Sequence, residues 1–260
     1  MNARAAIQWG DLGAVAAHYA SRPAYAEPVI DCLTRYTGST REGYAIADIG
    51  AGTGKLTAML ADRGLSGFAI EPSEGMLAER PRAGPAAERF DWRHGRAEES
   101  GLANSSVDWV CMGTAFHWTD PALALLEFHR VLRRNGHFTA IWDLNDPHED
   151  ALMREVEELI EAAAPGLRRV QANIYRMFET IEEILLQSGR FADCLRVEAA
   201  HTQAMTPERY VAMWRSYHDV PSQIGQKRWD VILDEIGRRI AGKDMVAAAY
   251  RSHSWTVRAV

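Results

Sequence analysis

Between residues 45 and 145, short apolar runs alternate with longer stretches that mix apolar and polar positions on a helical period. The runs Ala47–Ile49, Gly67–Glu71, Arg89–His94, Val107–Met112 and His137–Trp142 predict five strands. Runs this short, bounded by glycine and polar residues, suit the buried strands of a parallel sheet. Between them the pattern predicts helices over Pro23–Tyr36, with Pro23 in the first turn, and over Leu56–Ala61, ended near Gly64. A further helix follows the Ser73 cap and turns Met76 and Leu77 inward. The next runs from Asp120-Pro121 to Arg133, before Asn135-Gly136. Strands alternating with helices imply a parallel sheet with right-handed crossovers. Residues 149–163 and 206–240 are amphipathic and helix-rich, which leaves Arg190–His201 and Ala248–Val260 as closing strands, read as an antiparallel edge pair. No internal repeat or low-complexity linker interrupts the chain, so residues 1–260 are expected to form a single α/β domain.

Composition narrows the function classes without choosing one. A hydrophobic content of 47% and a charged content of 25% are ordinary for a soluble globular protein. A net charge of −6 argues against a general nucleic-acid or anionic-membrane binder. No apolar run is long enough for a membrane span, and the N-terminus lacks a basic-then-apolar signal pattern. Cys32, Cys111 and Cys194 are far apart, odd in number and in no CxxC pair, so a reduced, cytoplasmic setting is expected. His94, His129, His137 and His148 have no metal spacing, and no metal is expected.

The chemistry concentrates at Ala47-Asp48-Ile49-Gly50-Ala51-Gly52-Thr53-Gly54-Lys55-Leu56-Thr57, a strand, a glycine loop and a helix start. Alternate glycines let the backbone turn sharply and approach a ligand where a Cβ would collide. The following helix N-terminus offers free N–H groups to an electron-rich ligand group. A P-loop needs Ser or Thr after Gly-Lys, but Leu56 follows Lys55; a nicotinamide fingerprint is GxGxxG, and this loop is GxGxG. Asp48, just before the loop, suits a ligand with a positive charge better than a pyrophosphate, and the sulfonium and amino group of S-adenosylmethionine (SAM) fit it. Glu71 lies 17 residues after Gly54 at the end of the second strand, where α/β nucleotide folds put a carboxylate on ribose hydroxyls.

With these pieces on one chain, the sequence resembles a class I SAM-dependent methyltransferase, in the branch of trans-aconitate methyltransferase-like proteins (methyltransferase type 11). The resemblance rests on ADIGAGTGKLT at 47–57, AIEPSEGML at 69–77, GRAEESGLANSSVDWV at 95–110, AFHWTD at 115–120 and HRVLRRNGHF at 129–138. Tyr19-Ala20-Ser21-Arg22-Pro23-Ala24-Tyr25 adds a further match, and together they cover roughly residues 15–145. It implies a Rossmann-like, doubly wound seven-stranded sheet with an N-terminal helical lid over 1–40 and helical cap segments over 145–190 and 203–245. It also implies SAM as cofactor. Gly50, Ala51, Gly52 and Gly54 would line it, and Asp48 would hold its amino-acid end. Glu71, with Pro72 and Met76 following, would take the ribose, and Ala97 and Glu98 would edge the adenine. Met112, Gly113 and Thr114 would pass the sulfonium, with Tyr19 and Arg22 closing the site.

For the acceptor, His117 is a candidate base between Phe116 and Trp118, or a residue that only shapes the pocket. A carboxylate acceptor would need no base, only in-line positioning and exclusion of water. Trp118, Trp142 and Trp214 are candidate substrate contacts, and Tyr175 and Asn145 candidate catalytic groups with His117. Residues 171–175 and 213–221 are the expected substrate-facing segments. The expected activity is methyl transfer to a small molecule at a carboxylate, hydroxyl, amine or carbon. Two alternatives share every cofactor motif: a cyclase that closes SAM itself to azetidine-2-carboxylate and methylthioadenosine, and a non-catalytic SAM-binding module.

Overall fold

A computed structural model describes residues 15–39, 41–82 and 84–260. Seven strands form one sheet: β1 (Ile46–Ile49), β2 (Gly67–Glu71), β3 (Phe90–His94), β4 (Val107–Gly113), β5 (Leu132–Asn145), β6 (Phe191–Met205) and β7 (Val246–Ala259). Their order is β3-β2-β1-β4-β5-β7-β6. The first five pair in parallel, and β7 runs antiparallel to both β5 and β6. The expected edge pair is therefore β6 and β7, with β7 inserted between β6 and β5. The strand order reverses between β1 and β4, and in such sheets ligands bind beyond the carboxyl ends at that point.

The central strands are buried on both faces. One face packs α2 (Glu27–Tyr36) and α3 (Lys55–Asp62) through Ile30, Leu33, Leu56 and Leu60 against Ile46, Trp109 and Ile141. The other packs α6 (Pro121–Val131), α8 (Val170–Phe178) and α9 (Ile181–Leu186) through Phe128, Ile174 and Leu185 against Val110, Phe138 and Trp142. Short helices α4 (Glu74–Ala78) and α5 (Pro85–Arg89) link β2 to β3. A third core lies under the cap, where α7 (Ala151–Ala163), α10 (Pro207–Arg215) and α12 (Gln226–Ile240) enclose Met153, Tyr210, Trp214 and Trp229; α11 (Pro221–Ile224) lies between the last two. Among the described residues, no helix is long and apolar enough to cross a membrane.

Several boundaries differ from the expected ones for identifiable reasons. The first long helix starts at Glu27, with Pro28 in its first turn. Residues 23–26 instead run non-helically, and the Ala26 N–H donates to the Ser252 hydroxyl of β7 at 2.8 Å. α1 (Ala16–Tyr19) precedes them. Of the expected lid over 1–40, residues 1–14 and 40 lie outside the described residues. The fifth strand begins at Leu132 rather than His137, because Val107 pairs with Leu132 and Trp109 with His137, so the Asn135-Gly136 turn is absorbed as an irregularity. The helix-rich stretch 206–240 is broken after Arg215 and at Gly225 (φ 83°), which gives three helices.

The cap core depends on one large side chain. Trp214 is fully buried and stacks on Tyr217 with ring centroids 5.0 Å apart. Trp214→Ala is expected to cost about 3–5 kcal/mol of stability, read as a lower urea midpoint by tryptophan fluorescence and circular dichroism together.

Candidate functional site

Side chains alternate along β1, so Asp48 shares the face of Ile46 and points toward α3. There the Thr57 hydroxyl donates to Asp48 Oδ2 at 2.5 Å, and Oδ1 is buried with no partner among the described residues. Burial raises the Asp48 carboxyl to about 7, aided by the charge of Glu71 and opposed by the Thr57 hydrogen bond. The chain then turns at Gly50 (φ 71°), where a Cβ would sit 2.7 Å from that of Ala115. The N–H groups of Gly50 and Ala51 both donate to the Ile70 carbonyl, at 2.8 and 3.0 Å. Glu71, 6% exposed, accepts from the Gly52 N–H at 2.8 Å and the Ser73 N–H at 2.9 Å, one on each oxygen. Burial raises its carboxyl as well. Two carboxylates on neighbouring strand ends thus flank one glycine loop.

A cavity of about 220 Å³ opens beyond these strand ends. Asp48, Gly50, Ala51 and Gly52 line it from one side, and Glu71, Pro72, Met76, Ala97 and Glu98 from the next strands. Met112, Gly113 and Thr114 line it from β4, and Tyr19 and Arg22 close it from the N-terminal segment. Gly54 is the exception among the expected cofactor residues. It caps α3 at φ 90°, and a Cβ there would meet the Trp92 ring at 2.6 Å. Its smallness serves loop-to-strand packing, away from the cavity.

A second cavity of about 60 Å³ adjoins the first. Tyr19, Arg22, Thr114, Trp118, Asp143 and Tyr217 line both. His117 and Asn145 line only the smaller one. His117 Nδ1 accepts from the Trp142 indole N–H at 3.1 Å, which puts the proton of a neutral imidazole on Nε2. Burial, with His218 and Arg22 adding to it, lowers its pKa to about 3. Asn145 is buried; its Oδ1 accepts from the Tyr217 hydroxyl at 3.0 Å and its carbonyl from Gln171 at 3.0 Å.

Three expected residues lie elsewhere. Trp142 is fully buried among α8 and α9 side chains and reaches the site only through His117. Trp214 backs Tyr217 from the cap core and lines neither cavity. Tyr175 sits on the outer part of α8 against Phe178 and His253, again lining neither. The segment predictions fared differently at their two ends: Gln171 and Ile174, and Tyr217, His218 and Asp219, do line the smaller cavity.

Other lining residues carried a weaker signal. Lys55, set aside once the P-loop was rejected, points its Nζ to the Arg22 carbonyl, and burial lowers its pKa to about 8, helped by Arg22 and Arg209. Arg22 in turn lies between Tyr19 and Tyr217, 4.4 and 4.6 Å from their ring centroids, and donates to the Ser216 hydroxyl at 2.7 Å. Tyr25 reaches Thr114 across Gly113 with a hydroxyl contact of 3.1 Å. Thr114 holds φ at 52°, a costly conformation for a β-branched residue, at the point where the two cavities meet. Asp143, near the end of β5, lines both cavities.

The Asp48 shift has a definite sign. Between an unfolded carboxyl pKa of about 4 and a native value of about 7, the folded state holds a proton that the unfolded state has released. Its stabilising contribution is full below the unfolded pKa and is lost as pH rises through the native one. That corresponds to a slope of about 1.4 kcal/mol per pH unit in that window. The ligand-free protein should lose stability from pH 5 to 7 in urea titrations, and Asp48→Asn should flatten that decline.

Comparison with known proteins bears on this arrangement. Residues 47–140 match the methyltransferase domain family. The uncharacterized methyltransferase Rv3342 of Mycobacterium tuberculosis is 39% identical over 147 residues, 56% of this chain. The uncharacterized methyltransferase C25B8.09 of Schizosaccharomyces pombe is 33% identical over 133 residues. The aligned parts span 57% and 51% of those proteins' own lengths. A provisionally assigned type II methyltransferase from Anaeromyxobacter dehalogenans superposes with a TM-score of 0.58 at 20% identity, covering 92% of this chain and 97% of that one. A geranyl diphosphate methyltransferase, solved in complex with SAM, gives 0.52 at 12% identity over 90% of this chain and 85% of that one. These likenesses bear on the family and fold, and leave the trans-aconitate branch unaddressed. On the domain match, residues 47–140 carry a methyltransferase domain, and the sheet order with the superposed structures gives the whole chain the class I methyltransferase fold.

Proposed function

We propose that the protein moves a methyl group from SAM, bound in the larger cavity, to a small-molecule acceptor seated in the smaller one. The observation that carries this reading is the shared wall: two adjoining cavities have six lining residues in common, an arrangement that would let two ligands meet at one junction. The residues fit SAM chemically. Asp48 Oδ1 is a buried acceptor without a donor among the described residues, suited to an ammonium group, and Glu71 retains unused lone pairs for a diol. When bound, SAM supplies an electrophilic methyl group on a sulfonium. The chain's part is to hold, orient and dry the site.

In this reading Glu71 takes the ribose, Ala97 and Glu98 edge the adenine, and Met112, Gly113 and Thr114 border the methyl-transfer junction. Lys55 and Arg22 fasten the N-terminal segment over the loop. His117 acts as a hydrogen-bond donor through Nε2 and shapes the acceptor cavity, since Trp142 already occupies its Nδ1 lone pair and burial keeps it neutral. The relatives named above are methyltransferases by name, which supports methyl transfer over ring closure of SAM or a non-catalytic module.

The test is mass spectrometry of the protein incubated with SAM alone and with a panel of small acceptors. S-adenosylhomocysteine appearing only with an acceptor is the expected result; methylthioadenosine without any acceptor would overturn it. Glu71→Ala should weaken S-adenosylhomocysteine binding about 10- to 100-fold in calorimetry, as loss of one or two charge-assisted hydrogen bonds predicts. Unchanged affinity would remove Glu71 from the site.

A further inference from the structure

Asp143 stands at the junction of the two cavities, near the end of β5, with a side chain 7% exposed. Its two oxygens are used unequally. Oδ1 accepts from the His201 Nε2–H of β6 at 2.8 Å and from the Ser252 hydroxyl of β7 at 2.6 Å. Oδ2 is withdrawn from solvent and, among the described residues, has no partner. A buried carboxylate oxygen left without a donor is costly, and such a cost persists where a ligand supplies the missing proton. Of the six side chains lining both cavities, Asp143 is the single carboxylate; the rest are a guanidinium, a threonine, two tyrosines and a tryptophan. His117, the other candidate, lines only the smaller cavity and has its Nδ1 engaged.

We infer that Asp143 is the general base of the transfer, so that the acceptor atom is one bearing a proton, a hydroxyl oxygen or an amine nitrogen. His201 and Ser252 are positioning residues that fix Oδ1 and leave Oδ2 without a side-chain partner among the described residues. The inference rests on the methyl-transfer reading above. In the step, the acceptor's lone pair forms a bond to the methyl carbon, and the carbon–sulfur bond breaks with its pair kept by sulfur, which becomes neutral. The acceptor's proton passes to Asp143 Oδ2 and later to water, so charge and atoms balance. An ionised carboxylate acceptor brings no proton and would meet Asp143 as a like charge.

Burial raises the Asp143 carboxyl, while His201, Ser252 and the charge of Lys55 hold it down. Tyr25 and Tyr250 also face it. Its net upward displacement makes it a stronger base than an exposed aspartate. The pH–rate profile should therefore rise on one deprotonation, and removing the His201 donor should move that limb to higher pH.

The experiment compares wild type, Asp143→Asn and His201→Gln on a panel of small phenols, alcohols, amines and carboxylates. S-adenosylhomocysteine formation is followed by mass spectrometry and S-adenosylhomocysteine binding by calorimetry. Expected are wild-type turnover with hydroxyl or amine acceptors, and a fall in kcat of about 100-fold or more for Asp143→Asn with product affinity within about threefold. His201→Gln should lose less and shift the limb upward. Turnover confined to carboxylates, or an Asp143→Asn enzyme with near-normal kcat, would overturn the inference and leave methyl transfer standing. Loss of product binding in Asp143→Asn to the extent of its kcat loss would reassign Asp143 to cofactor binding. No turnover by wild type with any acceptor would overturn both.

Discussion

The hydrogen bond from the Gly52 N–H to Glu71 is the contact on which the rest of the site depends. It ties the loop after β1 to the end of β2, and the two donors to the Ile70 carbonyl from Gly50 and Ala51 pin the same turn one residue earlier. The loop is thereby held flat against a neighbouring strand, and α3 starts where the turn ends. Asp48, two residues before Gly50, is left in a dry space where, among the described residues, Thr57 donates to it. A sheet covered on both faces produces this tension: its strand ends carry carboxylates, and the layers above and below keep water from them.

The same loop organises what lies above it. Lys55, first residue of α3, holds the Arg22 carbonyl, and Arg22 lies between Tyr19 and Tyr217 while bonding Ser216. A lysine from the start of α3, an arginine from the N-terminal segment and a serine from the cap form one chain of contacts. Trp214 supports Tyr217 from behind, and the Tyr217 hydroxyl fixes Asn145. The smaller cavity is therefore bounded by groups whose positions are set by three separate stretches of sequence.

Most of the sheet was legible because its signals are local. The glycine loop, the carboxylate ending β2 and the Asp120-Pro121 helix start each act through neighbours a few residues away, where spacing and backbone preference decide the outcome. The expected tryptophan contacts failed for a complementary reason. Trp142 and Trp214 look alike in sequence to Trp118, and only the packing of α8, α9 and α12 decides that two are core and one borders both cavities. Likewise, spacing could not distinguish Gly54, which clears the Trp92 ring, from Gly50 and Gly52, which face the cavity.

Short-range rules applied to the sequence alone sufficed for the strand–loop–helix unit, the alternation of the first five strands and helices, and the carboxylates at two strand ends. Tertiary structure decided which polar groups are stranded and which are satisfied. Asp143 acquires meaning only when His201 from β6 and Ser252 from β7 occupy one of its oxygens. The Nδ1 of His117 is engaged only because Trp142, 25 residues away, donates to it. Hydrogen-bond satisfaction and desolvation depend on partners that meet through the antiparallel return of β7 and the folding of the cap, and no sequence spacing encodes those meetings.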